Sequence, residues 1–457
     1  MDDVAPVAQR RRWEKKKARG AATATATLPE DVVIEILGRV ADAEDVVTLF
    51  RCATACNRWR DLVSDPSFLR DRRPHPSSSL LFGFFAQQRP YRAHTVSADP
   101  IIGARSPAFV PAPRSPLGPG RRSLGSFVSC VADNLDFDDA EPLFARHSLL
   151  LVRLVPRRGA PVDDVGAGRT LVHLAVCNLL AGTCDVLPPL KCRASSRIQK
   201  CAILTHTDSC SNGQSPSSPL PSFSQVLVLV YNGGSRNYNL CTFSSADWSW
   251  SPPPRNCFSD PELRVKGSSA VICEGMARWL VSDGLNVYTL EVGTDNSQFF
   301  LRDLPAPPEH HDSYGIPLLS VANDGTLSML LIDGCCCWLQ IWTLQGGEES
   351  GSGDDGDDDV VDVDWICTKE IELKPPKLTH MECLECLCVG ERSSTLLVMD
   401  TFIRSVCFVD IETRAVDEVT ERFRRLNLET VVPFEMDWQA FFVSRLEGPR
   451  AKVRENP

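Results

Sequence analysis

Val406-Cys407-Phe408-Val409-Asp410-Ile411-Glu412-Thr413-Arg414-Ala415-Val416 reads as a strand, a turn of small polar residues and the start of a second strand. Two other stretches say the same thing loosely: Leu171 to Leu187, with Asn178, Thr183 and Leu187 toward its end, and Val281 to Leu304, which closes on Leu304-Pro305. Beyond about residue 77 the texture is short apolar or alternating runs broken by Gly, Pro, Ser, Asn and Asp. The clearest runs are Leu80 to Phe85, Leu149 to Leu154, Leu171 to Val176, Val226 to Tyr231, Leu285 to Leu290, Leu327 to Ile332, Leu339 to Leu344, Leu396 to Met399 and Val406 to Ile411. No amphipathic helix of comparable quality stands between them, so nothing supplies crossovers and the sheets should be antiparallel. The units recur irregularly, roughly every 40 to 60 residues, which suits propeller blades with variable loops better than a strict solenoid. About 370 residues at that period make six to eight blades, and a pair of β-sandwiches is the competing arrangement.

Two insertions interrupt the strands. Residues 209–222 are rich in Ser, Pro and Gly, and residues 346–364 carry nine acids with no base, so both read as flexible surface loops. The acidic stretch lacks the ordered Gly and terminal Glu of a calcium loop.

Ahead of the strands the pattern is helical. Thr27 and Glu30 have the spacing of a capping box and Pro29 falls in the first turn, where its missing N–H costs nothing. Leu28, Val32, Ile36 and Val40 then recur every fourth residue, with Val33 and Leu37 widening the stripe. A second helix follows Asp42, with Val46, Val47, Leu49, Phe50, Ala53 and Cys56 toward its buried side. A third, Asn57 to Ser64, carries Trp59, Leu62 and Val63 and stops at Asp65-Pro66. Three short helices in about 40 residues hold too little core to hide all this apolar surface, so the unit should lean on a partner. The organisation is therefore α+β and multidomain: a basic tail and linker over 1–26, a small three-helix unit over 27–72, a large all-β domain over 78–445, and a tail over 446–457.

Composition bounds the function. The chain has 457 residues, 43% apolar and 23% charged, so it should fold rather than stay disordered. A net charge of -11, from 48 basic and 59 acidic residues, argues against a body built to wrap nucleic acid. No apolar run approaches the ~20 residues of a membrane span, and the charged amino terminus has no secretory core, so the chain is expected to stay inside the cell, in the cytoplasm or nucleus. The segment Arg10 to Arg19 reads as a solvated basic tail or a nuclear import address. The 19 cysteines, an odd number in a long chain, read mostly as small buried apolar residues.

Few residues point to chemistry. Cys383, Cys386 and Cys388 approach a metal spacing but lack a second ligand pair, and Cys335 to Cys337 lie in a run, Leu330 to Ile341, that reads as a strand. The histidines (75, 94, 147, 173, 206, 310, 311 and 380) fall into no paired-ligand pattern, and no nucleophile elbow or phosphate-cradling glycine loop occurs. No catalytic, metal or cofactor residues are assigned. Trp248 and Trp250, in Ala246-Asp247-Trp248-Ser249-Trp250-Ser251-Pro252, read as blade packing ahead of a Pro-rich turn, with a ligand surface as the alternative.

Residues 28 to 69 resemble an F-box. The likeness rests on Leu28-Pro29, Val32, Val33, Glu35-Ile36-Leu37, Asp45-Val46-Val47, Cys56-Asn57-Arg58-Trp59-Arg60-Asp61-Leu62-Val63 and Asp65-Pro66-Ser67-Phe68-Leu69. Val32 and Val33 stand where leucines are frequent, which trims apolar volume and keeps the stripe. The rest of the chain resembles, more diffusely, the associated domain of large plant F-box families, those of grasses especially, through Leu187-Pro188-Pro189-Leu190 and Asp247 to Pro252. The resemblance implies a non-catalytic adaptor of a Skp–cullin–F-box ubiquitin ligase. A Skp-family linker protein would dock on Leu28, Pro29, Val32, Val33, Ile36, Leu37, Trp59 and Leu62, a cullin and a RING subunit would follow indirectly, and the β-domain would hold an unidentified protein substrate. A scaffold that binds the linker without cullin, or a propeller enzyme carrying an F-box, are the alternatives.

Overall fold

Six antiparallel sheets follow one another between residues 80 and 437, each of four or five strands, and the first sheet is completed by the last described strand. The computed structural model describes residues 28–42, 51–53, 55–63, 65 and 68, then the strands and most turns of 80–437. Residues 1–27, 43–50, 438–457 and the longer connections, among them 88–105, 156–168, 210–221, 305–316, 346–363 and 374–383, lie outside the described residues. The basic tail, the Thr27 cap, the start of the second helix and most of both insertions fall there. The chain divides into two compact units, one of residues 1–74 with 445–457 and one of residues 75–444.

The larger unit is a six-blade propeller. Blade 1 runs from an inner strand Val432–Asp437 outward through Leu80–Ala86, Ala108–Pro111 and Arg122–Ser123. Blade 2 is Glu141–Arg146, Leu149–Leu154, Arg169–Asn178 and Thr183–Val186, with Leu190–Arg193 pairing at its side. Blade 3 is Ser196–Thr205, Phe223–Asn232, Asn237–Ser244 and Ser249–Trp250, with Arg255–Phe258 beside the third strand. Blade 4 has Arg264–Val265 and Val271–Cys273 on one side of Met276–Ser282, then Val287–Gly293 and Phe299–Leu304. Blades 5 and 6 are Leu318–Val321, Leu327–Asp333, Trp338–Gln345, Asp364–Glu372 and Leu384–Val389, Thr395–Asp400, Val406–Asp410, Val416–Glu418.

Ring closure is made by the chain's own far end. Val432–Asp437 pairs antiparallel with Leu80–Ala86, from Leu80↔Asp437 to Phe85↔Val432, so separating the blades requires breaking a full strand ladder. The period-2 alternation of a strand then sends neighbours to opposite faces. Phe84 stacks on Phe408 and Phe423 of blade 6 and the turn after it, while Phe85 joins Phe109, Phe127 and Phe434 on the other face. Apolar clusters continue from blade to blade around the ring.

Gly83, two residues before Phe85 and on the same face, has no room for a side chain. A Cβ there would stand 2.4 Å from Phe109 Cζ and 2.5 Å from the Val110 carbonyl oxygen, and the latter is backbone that cannot swing away. Gly83→Ala is therefore expected to lower propeller stability by at least about 2 kcal/mol, read as a shifted denaturation midpoint. An unchanged midpoint would mean the ladder yields at no cost.

The structure refines several expectations. The blade count is six, at the lower end of the expected range. The Leu330 to Ile341 run is two strands, Leu327–Asp333 and Trp338–Gln345, paired to each other from Asp333↔Trp338. It is not one strand, and Cys335 to Cys337 lie outside the described residues between them. The two Pro- and Trp-rich phrases meet in space: Trp250 Nε1 donates to the Pro188 carbonyl at 2.7 Å, and Trp250 and Trp248 both lie 5.4 Å from the Phe243 ring. Blade packing thus accounts for Trp250, and Trp248 sits exposed in the preceding turn at φ 50°.

In the smaller unit α1 spans Glu30–Asp42 and α2 spans Asn57–Val63, with helical residues also at 51–53 and 55. Helix α1 begins two residues later than the sequence suggested, with Pro29 just before it and its carbonyl accepting from Val33 N at 3.1 Å. Acidic Glu30 and Asp31 in the first turn and Arg39 in the last complement the helix dipole.

Candidate partner-binding site

Helix α1 is amphipathic in an unusual sense: both faces carry apolar residues. Val33 and Leu37 are buried, one turn apart. Leu28, Val32 and Ile36, four residues apart in turn, stay 47%, 39% and 39% exposed, and Pro29 is exposed beside them. Four-residue spacing stacks Val32 and Ile36 on one face of α1, and Leu28 is exposed two residues ahead of the helix, so the three make an apolar strip along the chain's entry into α1. Trp59 and Leu62 on α2 are half-buried. Of the eight residues singled out in sequence, six thus offer surface, and Val33 and Leu37 act from inside the unit.

One positioning residue was not singled out. Arg58 Nη1 donates to the Leu28 carbonyl at 2.9 Å, tying α2 to the chain segment that presents Leu28. Its signal in the sequence is the pair of basic residues flanking Trp59, which looks like solvated charge until the fold brings Leu28 beside it. Arg39 and Glu35 pair at 3.0 Å on an exposed turn of α1, a contact of small energetic weight.

Residues 25–73 match the F-box-like family. The chain therefore carries an F-box-like domain ahead of a six-blade propeller. No curated protein matches the chain. Among solved structures, a Lactobacillus plantarum protein is 10% identical with a TM-score of 0.37, over 74% of this chain and 81% of that one. The periplasmic gluconolactonase PpgL of Pseudomonas aeruginosa is 11% identical with a TM-score of 0.38, over 75% of this chain and 82% of that one. Likeness this slight transfers no activity; the blade count rests on strand pairing. No described helix is long and apolar enough to cross a membrane.

The propeller carries a second feature, at one mouth of its central channel. A cavity of about 60 Å³ opens between inner-strand residues of blades 1, 2, 4, 5 and 6. That holds a few waters and falls well short of the several hundred Å³ of a small-molecule site. Arg146, buried at the end of the inner strand of blade 2, donates through Nη1 to Asp208, which follows the inner strand of blade 3, and through Nε to Glu391 of blade 6 at 2.9 Å. Burial alone would lower the Arg146 pKa, but the two carboxylates hold it raised; burial would raise Asp208, but Arg146 and the Thr205 donors hold it below its ordinary value. His147 and Ser148 form the two-residue turn that follows, both left-handed at φ 47° and 69°. Burial lowers the His147 pKa, so it favours the neutral form. Such turns favour Asn-Gly, and the strain of His-Ser sits at the channel mouth.

Glu435, on the inner strand of blade 1, accepts from the backbone N–H groups of Arg392 at 2.7 Å and Ser393 at 2.9 Å. Burial nevertheless raises its pKa to about 7, opposed by those donors and helped by the charge of Glu391. The folded value stands above the ordinary unfolded one, so the folded state holds this proton more tightly. The resulting stabilisation is complete below the unfolded value and is lost as pH rises to about 7. His147, with its lowered value, acts in the opposite sense below about pH 6.5, leaving the higher window to Glu435. Stability is expected to fall by about 1 kcal/mol between about pH 6 and pH 8, with the decline flattened in Glu435→Gln. Denaturant titration across that range reads it, and an equal slope in the variant would assign the change elsewhere.

Proposed function

We propose that this chain is a non-catalytic, substrate-recognising subunit of a Skp–cullin–F-box ubiquitin ligase, related to the F-box chains of plants and acting in the cytoplasm or nucleus. The F-box-like domain docks on a Skp-family linker through Leu28, Pro29, Val32, Ile36, Trp59 and Leu62, with Val33 and Leu37 holding α1 from within. The observation that carries the reading is the exposed strip Leu28, Val32 and Ile36 inside the F-box-like match. An apolar strip of this kind on a folded unit marks a partner site. The propeller then holds a target protein, and its contribution to ubiquitin transfer is proximity. A target lysine kept near the charged conjugating enzyme reacts as if at high local concentration.

Titration of the full chain with a purified Skp-family linker tests the reading. Binding at micromolar concentration or tighter supports it, with the cullin joining the complex when added. Failure to bind the linker overturns it, and linker binding without cullin would leave a scaffold in its place.

A further inference from the structure

In blade 2, Cys177 and Cys184 stand directly opposite each other on the strands Arg169–Asn178 and Thr183–Val186. Their sulfurs lie 3.2 Å apart, with the Cys177 thiol directed at the Cys184 sulfur. The register that faces them is set by the turn between the strands: Ala181 N donates to Asn178 Oδ1 at 2.9 Å, and Gly182 takes the left-handed φ of 70° that closes it. Both cysteines are thiols and both are buried, Cys177 completely and Cys184 with 6% of its surface open. A disulfide needs Cα atoms roughly 4.4–6.8 Å apart and Cβ atoms facing one another, the separation that directly opposed residues of an antiparallel pair provide. None of the other described cysteines is placed opposite a second one in a strand register.

We propose that Cys177 and Cys184 are an oxidation site that closes to an intrachain disulfide when the protein meets a peroxide. The sulfur of Cys184, the less completely buried of the pair, attacks the peroxide first. It displaces water from the peroxide O–O bond and becomes a sulfenic acid; the Cys177 sulfur then attacks it, the S–S bond forms, the S–O bond breaks and a second water leaves. Two thiols and one hydrogen peroxide give one disulfide and two waters, with the two thiol electrons passing to the peroxide oxygens. The position gives the bond a consequence. Leu179, just beyond Cys177, donates from its N–H to the Ser148 carbonyl at 3.0 Å, and Ser148 N donates to the Glu435 carbonyl of the closing strand at 3.2 Å. Pinning the hairpin therefore fixes a turn that buttresses the channel mouth and the ring closure.

The full chain, freshly reduced, is exposed to hydrogen peroxide, its remaining thiols are alkylated under denaturing conditions, and its peptides are mapped by mass spectrometry. The expected product is a peptide pair joined through Cys177 and Cys184, reversed by reductant, with a melting temperature a few degrees above the reduced chain. Exposed Cys56 is the internal gauge of oxidant strength. Should Cys56 be oxidised while Cys177 and Cys184 remain alkylatable, or should either pair with another cysteine, the assignment is wrong. Cys184→Ser is expected to lose the product and the shift; if that variant does not fold, wild-type mapping alone decides. Linker binding is unaffected by either result, so this outcome is separate from that of the adaptor reading.

Discussion

Leu28→Asp combined with Ile36→Asp is expected to weaken capture of a Skp-family linker by at least about 100-fold while leaving the propeller's melting transition where it was. The two side chains are exposed in the free chain, so charging them disturbs no core, and an aspartate driven into an apolar interface must be desolvated without a partner. Val33→Asp makes the contrasting variant: Val33 is buried, so the charge goes into the unit itself and binding fails together with the helical signal of α1. Arg58→Met tests the positioning role. It keeps the stem and removes the donor to the Leu28 carbonyl, which predicts a partial loss, on the order of tenfold, from a misaligned entry to α1. A double aspartate variant that binds like the wild type would remove the strip from the interface and with it the main support for the adaptor reading.

The contrast between Val33 and Ile36 also marks what the sequence could tell. An apolar repeat every fourth residue, widened by its neighbours, announces a helix with more apolar face than one core can use. It does not say which part of that face turns inward, because Val32 and Val33 are both valines, one exposed and one buried. The propeller shows the same division. Each of the nine runs read as strands falls on a strand of the structure, Leu285 to Leu290 from Val287 onward, and every one of those strands is the second or third of its blade. Those strands are covered on both faces and so read as continuous apolar stretches. Inner strands such as Glu141–Arg146 alternate between core and channel, and outer ones such as Arg122–Ser123 or Ser249–Trp250 are two residues long, so neither leaves a strong trace. The channel cluster was illegible for a different reason. Arg146, Asp208, Glu391 and Glu435 come from four blades, and only ring closure makes them neighbours.

That cluster makes the second large expectation: Arg146→Met should lower the stability of the propeller by about 3–5 kcal/mol at pH 8, read as the denaturation midpoint of the full chain. Methionine keeps most of the volume, so the loss comes from charge. It leaves Asp208 buried with only the Thr205 donors and Glu391 without its cation, and removing one partner of a buried pair costs far more than the pair was worth. The sign of the pH dependence separates this from lost packing. In the wild type Arg146 holds Asp208 below its unfolded value, which stabilises the fold above that value and is lost as pH falls through the lower folded one. Without Arg146, burial dominates and raises Asp208 instead. The deficit should therefore shrink as pH falls toward about 5, and Arg146→Met with Asp208→Asn should recover much of it at pH 8. A deficit that stays constant with pH, or survives in the double variant, would mean that Arg146 serves the blades through its stem; a reversible one makes the ion cluster the lock that ties blade 2 to blades 3 and 6 beside the strand that closes the ring.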